Sequence, residues 1–127
     1  MKTSVNTVLF VDDEAYIRQS FADYFEDKLW LTLQAESGEK GLDILEDESP
    51  QCAVVDIRMG GMDGNTFIRK ALKKRPGLIF VICTGSPEYD IPEDLNSHPN
   101  VSEQLFRKPV TQMALLEREL LKLLNKF

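Results

Sequence analysis

The chain has 127 residues, of which 43% are hydrophobic, so residues 1–127 can form a single domain around one core without disulfides or a structural metal. Its 15 basic and 21 acidic residues give a net charge of −6 without a long basic run, so we do not expect this segment to bind nucleic acid directly. No apolar stretch approaches the roughly 20 residues needed to cross a bilayer, so we expect no membrane segment. Both cysteines lie in or beside apolar runs, as buried reduced thiols do, so we expect a cytoplasmic protein.

Short apolar runs alternate with segments of helical periodicity along the whole chain, which is the pattern of repeated βα units in a parallel sheet. Three of these runs are continuously apolar and predict central strands covered on both faces, at residues 8–11, 53–55 and 78–82. Two further segments alternate or carry polar insertions and predict edge strands, at residues 30–35 and 101–106. The sequence therefore predicts an α/β fold with a parallel sheet.

Apolar residues recur at spacings of three and four between the strands, which predicts helices. The predicted helices span residues 15–27, 38–47, 64–74 and 111–126. Pro76 and Gly77 follow the third helix and end it. The segment 86–100 differs, because its three prolines leave room only for an irregular stretch or for one to two helical turns.

Polar residues follow four of the five predicted strands. These residues are Asp12, Asp13, Glu14, Asp56, Thr84 and Lys108. In an open parallel sheet, ligands bind outside the carboxyl ends of the strands, at the point where the strand order reverses. We therefore expect these side chains to converge on one rim of the sheet.

The residue types at this rim suggest phosphoryl transfer. Clustered carboxylates repel one another unless a cation lies among them, and a set of oxygen ligands favours Mg²⁺ or Mn²⁺ over zinc. Asp56 can act as a nucleophile and form an aspartyl-phosphate. Lys108 would supply a positive charge, and the Thr84 hydroxyl a hydrogen bond, to phosphoryl oxygens. Each residue alone has a structural explanation, such as helix capping by an Asp pair, and only the combination is specific.

Four segments, in this order and at these separations, closely resemble the receiver domain of two-component response regulators. They are residues 11–14, 54–64, 84–85 and 108–109. The resemblance covers essentially the whole chain and implies a doubly wound, flavodoxin-like five-stranded parallel sheet of order 2-1-3-4-5 with helices on both faces. It also implies a phosphoacceptor switch that receives its phosphoryl group from a sensor histidine kinase or a histidine phosphotransfer protein. Such a switch catalyses only its own phosphorylation and dephosphorylation, and it controls an output partner that the sequence does not name.

The resemblance also implies roles for individual residues. Asp56 corresponds to the phosphoacceptor. Asp12 and Asp13 correspond to the acidic pair, in which the second residue usually contacts the metal directly and the first often acts through water. Arg58 lies at the position whose backbone carbonyl completes the metal site, so its side chain is free to vary.

Thr84 and Lys108 correspond to the hydroxyl and the lysine of the family, and the bond from Lys108 to Pro109 is typically cis in the family.

The chain departs from the family pattern at Gly60, where a proline is common, and this should loosen the loop after the nucleophile. It departs again at Leu105, which lacks the aromatic ring that acts as a rotamer switch in many receivers. The proline-rich segment before the last strand is the third departure. We therefore expect the response to phosphorylation to pass mainly through residues 85–100.

Three other classes of protein fit part of the pattern. A haloacid-dehalogenase phosphatase would need a second Asp two residues after its nucleophile, where Asp56 is followed by Arg58 and Asp13 by Ala15. A pseudo-receiver, which binds partners without being phosphorylated, usually lacks an acidic ligand, the Thr or the Lys, and this chain has them all. A flavodoxin-like FMN carrier would need a phosphate loop rich in Gly, Ser or Thr after the first strand, where this chain is acidic.

The last predicted helix carries a broad apolar stripe. Its members are Met113, Leu115, Leu116, Leu120, Leu121, Leu123 and Leu124. Such a stripe is more often part of a core than of an interface, but its rim would suit a homodimer.

Overall fold

A computed structural model describes residues 5–126 of the chain. Its strands are β1 (Thr7–Val11), β2 (Leu31–Ala35), β3 (Cys52–Asp56), β4 (Ile79–Thr84) and β5 (Val101–Arg107). Its helices are α1 (Ala15–Asp27), α2 (Gly38–Asp47), α3 (Gly64–Lys74), α4 (Glu93–Asn96) and α5 (Met113–Leu124). The strands form one parallel sheet of order β2-β1-β3-β4-β5, which confirms the predicted fold and strand order.

The central strands are buried on both faces because their alternating side chains enter two separate cores. In β1, Leu9 and Val11 join the core formed with α2 and α3, whereas Val8 and Phe10 join the core formed with α1 and α5. The continuous apolar runs of β1, β3 and β4 follow from this arrangement. Strands β2 and β5 lie at the two edges of the sheet, as predicted, and each contains exposed as well as buried residues.

The apolar stripe of α5 is mainly core. Leu116, Leu120 and Leu123 are buried against the sheet, and Leu115 is 39% exposed at the rim. The helix begins at Met113 rather than at residue 111, because Gln112 has a non-helical backbone. The homodimer stays a prediction.

The proline-rich segment contains only one helical turn, α4, as predicted. Pro92 stands immediately before it and cannot donate a backbone hydrogen bond. Within residues 5–126, no helix has the length and apolar character that a bilayer crossing requires. Cys52 and Cys83 are both buried free thiols, which agrees with the reading of them as small core residues.

Candidate functional site

The carboxyl ends of four strands bring the predicted site residues to one rim of the sheet. Asp12 follows β1, Asp56 ends β3, Thr84 ends β4 and Lys108 follows β5. One carboxylate oxygen from each of Asp12, Asp13 and Asp56 lies within 4.8 Å of the other two. Asp12 and Asp56 are buried, whereas Asp13 is exposed. The convergence of these side chains is therefore observed, and their chemical roles remain predictions.

Lys108 is the counter-ion of this carboxylate cluster. Its Nζ lies 2.6 Å from Asp12 Oδ2 and 3.3 Å from Asp56 Oδ2, and Glu14 Oε1 is 3.7 Å away. The lysine side chain is 12% exposed, so water and salt screen these pairs weakly. Its backbone N–H donates to the Thr84 carbonyl at 2.8 Å, which continues the pairing of β4 with β5 and fixes the base of the side chain.

The electrostatics of the cluster favour a bound cation. Burial, followed by the charge of Asp12, raises the pKa of Asp56 against the opposing influence of Lys108. Burial lowers the pKa of Lys108, but its hydrogen bond to Asp12 and the charges of both aspartates outweigh this effect, so that pKa is raised overall. One ammonium cannot balance three carboxylates. A divalent cation with oxygen ligands would relieve the repulsion, so the donor set fits Mg²⁺ or Mn²⁺.

Arg18 of α1 holds the acidic loop after β1 in place through hydrogen bonds. The side-chain Oδ1 of Asp12 accepts from the Glu14 N–H at 2.9 Å. Arg18 Nη1 donates to the Asp12 carbonyl at 2.7 Å, and its Nε donates to Gln34 Oε1 of β2 at 3.2 Å. Sequence analysis missed Arg18, although its place one turn after the acidic residues was an available signal.

The loop after β3 is anchored where α3 begins. Asp63 caps α3 by accepting from the Thr66 N–H at 2.8 Å, and the Gly64 N–H donates to the Ile57 carbonyl at 3.0 Å. A Cβ on Gly64 would lie 2.8 Å from Ile57 Cα and would also meet the Asp56 carbonyl oxygen. Glycine is therefore required at this close approach between α3 and the end of β3.

Thr84 is fully buried, and its Oγ1 accepts from the Ser86 N–H at 3.1 Å. This bond uses the hydroxyl as an acceptor and leaves its proton to donate. Sequence analysis missed Ser86, whose own hydroxyl accepts from Arg58 Nη2 at 3.1 Å. The bond between Lys108 and Pro109 is cis, as the family resemblance implied.

A cleft of about 440 Å³ opens over the carboxylate cluster. Its lining includes the buried Asp56 and Ser86, the half-buried Lys108, and the exposed Arg58 and Glu88. The nucleophile candidate is therefore largely buried but borders a cleft that is open to solvent. A phosphoryl group on Asp56 would point into this cleft.

The chain matches the family model described as "Response regulator receiver domain" over residues 8–118. Among curated proteins it is similar to sporulation initiation phosphotransferase F of Bacillus subtilis, with 30% identity over 84 residues, 66% of this chain and 68% of that protein. It spans about 23% of the length of two other curated relatives, a cyclic di-GMP phosphodiesterase of Thermotoga maritima and a protein-glutamate methylesterase/protein-glutamine glutaminase of Nitratidesulfovibrio vulgaris.

Two solved structures have the same fold. The CheY-like receiver domain protein from Methanospirillum hungatei superposes with a TM-score of 0.81 at 27% identity, covering 98% of this chain and 100% of that one. The response regulator TrrA from Thermotoga maritima was solved in complex with Mg²⁺-BeF. It superposes with a TM-score of 0.77 at 24% identity, and the match covers 94% of this chain and 99% of that one. The chain therefore belongs to the response regulator receiver domain family, the phosphoacceptor signalling switches of two-component systems.

Proposed function

We propose that Asp56 is the residue that accepts the phosphoryl group, in a reaction that requires Mg²⁺ or Mn²⁺. Asp12, Asp13, Asp56 and the backbone carbonyl of Arg58 would hold the ion. The observation that supports this most directly is the position of Lys108, whose ammonium lies between Asp12 and Asp56 in the lining of the cleft. When bound, the ion would offset the negative charge of the incoming phosphoryl oxygens.

In the proposed reaction, a carboxylate oxygen of Asp56 attacks the phosphorus of a phosphohistidine. The phosphorus–nitrogen bond breaks, and its electron pair returns to the imidazole. Lys108 favours the ionised, nucleophilic form of Asp56 and stays beside it after transfer. Thr84 donates its free hydroxyl proton to a phosphoryl oxygen, and the side-chain rotation that brings its Oγ1 into reach moves that oxygen away from the Ser86 N–H.

The proposed donor is a sensor histidine kinase or a histidine phosphotransfer protein in the cytoplasm. Such a donor must cover the rim of the sheet to bring its histidine to Asp56. An apolar cleft of about 200 Å³ lies beside that rim, between α1 and the start of α5. Tyr16, 73% exposed, and Met113 line it, so it offers a partner apolar contact area next to Lys108.

We further propose that residues 1–127 act as one receiver unit, with no reaction beyond their own phosphorylation and dephosphorylation. The output partner would read the resulting change in shape. The pseudo-receiver alternative assigns no phosphorylation to the chain. One experiment separates the two proposals.

Incubation with acetyl phosphate and Mg²⁺ should add one acid-labile phosphoryl group, detected by intact-mass measurement. Asp56→Asn should abolish the gain, while Asp43→Asn, an exposed position on α2, should leave it intact. A wild-type protein that gains no mass would favour the pseudo-receiver. An equal gain in Asp56→Asn would remove Asp56 as the acceptor.

A further inference from the structure

Ser86 joins three parts of the site through three hydrogen bonds. Its backbone N–H donates to Thr84 Oγ1 at 3.1 Å, and its hydroxyl accepts from Arg58 Nη2 at 3.1 Å. Its carbonyl accepts from Arg107 Nη1, at the end of β5. Ser86 itself is 6% exposed, so its bond to Thr84 is shielded from water, whereas the two bonds from the exposed Arg58 and Arg107 are partly shielded. The segments that follow β3 and β4 and the end of β5 are thus linked through Ser86, which lines the cleft.

The same set of contacts holds the segment that follows Ser86. Arg107 Nη2 donates to the Tyr89 carbonyl at 3.3 Å, and the Tyr89 hydroxyl donates to Asn65 Oδ1 of α3 at 2.7 Å. The Tyr89 ring packs against the same core cluster as Leu105. Hydrogen bonds therefore hold residues 86–89 at both ends. We expect a movement of Ser86 to shift Tyr89, whose ring contacts the core.

The contact between Arg58 and Ser86 is the one most open to exchange. It joins a charged guanidinium to a neutral hydroxyl, whereas a phosphoryl group on Asp56 would offer charged oxygens in the same cleft. An arginine is attracted more strongly to a negatively charged phosphoryl oxygen than to a neutral hydroxyl, and its fork matches phosphoryl geometry. Arg58 is exposed and only two residues from Asp56, so its side chain can turn without displacing core atoms.

We propose that Arg58 is a second phosphoryl-binding side chain, and that its transfer from Ser86 to the phosphoryl oxygens releases residues 86–89. The proposal rests on the phosphoacceptor role of Asp56. Thr84 would act in the same direction, because its hydroxyl also leaves Ser86 when it turns to the phosphoryl group. Tyr89 then carries the change to the core surface that it shares with Leu105, which has no ring of its own to move.

The binding test uses Mg²⁺ with beryllium fluoride as the phosphoryl analogue, titrated by calorimetry. Arg58→Ala should weaken binding about tenfold, as expected for the loss of one charged hydrogen bond. Ser86→Ala should bind as tightly as wild type or a few-fold more tightly, because Arg58 no longer has a competing partner. Arg58→Lys should lie between Arg58→Ala and wild type, because it keeps the charge without the fork. Arg118→Ala, an exposed arginine on α5, is the control for charge and should bind like wild type.

The opposite effects of the two alanine variants are what distinguish the proposal. If the bond between Arg58 and Ser86 only stiffened the loop, both variants would weaken binding alike, and that result would overturn the proposal. Arg58→Ala binding equal to that of Arg118→Ala would overturn it too. If Asp56→Asn still bound the analogue, or wild type did not bind it, the phosphoacceptor assignment itself would fail. Loss of binding in Asp56→Asn with full binding in Arg58→Ala would refute only the role of Arg58.

Hydrogen exchange provides a second readout, first in the free protein and then with the analogue bound. In the free protein, Arg58→Ala and Ser86→Ala should both speed amide exchange at residues 86–89 relative to Arg118→Ala. Addition of Mg²⁺ and beryllium fluoride should bring wild-type exchange there up to the rate of free Ser86→Ala. Slower exchange at residues 86–89 in the bound wild type would mean that the segment is tightened rather than released.

Discussion

Lys108 Nζ lies 2.6 Å from Asp12 Oδ2, although the two residues are 96 positions apart in the chain. The pair is almost wholly buried, and the same ammonium is 3.3 Å from Asp56 Oδ2. Removal of Lys108 would therefore leave two buried carboxylates without their counter-ion. The lysine supports the fold as well as the proposed chemistry.

We expect Lys108→Ala to lower the free energy of unfolding at neutral pH by about 3 kcal/mol, the order seen when a buried ion pair loses one partner. Urea denaturation in the absence of divalent metal would measure the loss. Lys122→Ala, whose side chain is 71% exposed, should change stability by less than about 0.5 kcal/mol. Equal midpoints for the two variants would mean that Lys108 does not neutralise the carboxylates.

Asp56→Asn should stabilise the metal-free fold at neutral pH. The raised pKa of Asp56 means that the folded protein holds that proton more tightly than the unfolded chain does. Stability from this group is therefore present below the ordinary pKa of an aspartate and lost as the pH rises through the raised value. The gain from Asp56→Asn should be largest at neutral pH and shrink toward pH 4. Thermal melts at both pH values would measure this gain in stability, with Asp43→Asn as the control variant. A gain that is the same at neutral pH and at pH 4 would contradict the raised pKa of Asp56.

Asp13→Ala should weaken Mg²⁺ binding more than Glu14→Ala. Asp13 offers an oxygen within 4.8 Å of those of Asp12 and Asp56, whereas Glu14 only approaches Lys108, at 3.7 Å. Because a ligand that binds only the folded state raises the melting temperature, a Mg²⁺ titration followed by thermal melting reports the affinity. Equal losses in the two variants would show that the ligand assignment is wrong.

Two glycines between the end of β3 and the first turn of α3, Gly60 and Gly64, should behave differently when a methyl group is added. Gly64→Ala would place a Cβ against the backbone of Asp56 and Ile57, so it should cost about 2 kcal/mol of stability and displace the phosphoacceptor. Gly60→Ala meets no atom within 4 Å and should be neutral or slightly stabilising. Denaturation midpoints, with phosphorylation rates from acetyl phosphate, would test the pair. A tolerated Gly64→Ala would refute the close approach.

The response to the phosphoryl analogue should be largest in residues 85–100. Thr84→Ala should still accept a phosphoryl group on Asp56 but show a smaller change in hydrogen exchange there, because one of the two side chains that leave Ser86 is missing. Thr84→Ser keeps the hydroxyl and should respond like wild type. A response centred on Leu105 and Phe106, with residues 85–100 unchanged, would assign the signal to β5 instead.

The amino-acid sequence alone determined the strands and helices, since each depends on local apolar spacing. The continuous apolar sequence of β1 predicts a strand buried on both faces. The alternation of apolar and polar residues in the sequence of β2 predicts an edge strand. The order of the acidic pair, the acceptor aspartate, the threonine and the lysine likewise identified the family. The single turn of α4 followed from the prolines around it.

Only the tertiary structure decided how the polar network around Ser86 is arranged. Arg58 and Arg107 are 28 and 21 positions from Ser86, and their meeting depends on the register of three strands and on the direction of two long side chains. From the sequence alone, Arg58 and Arg107 would be predicted to be solvated surface residues. The spacing of neighbouring residues does not distinguish an arginine that bonds to a distant segment from one that points into water. Hydrophobic patterns record burial, which is local, whereas a hydrogen bond between distant segments exists only once the sheet has brought them together.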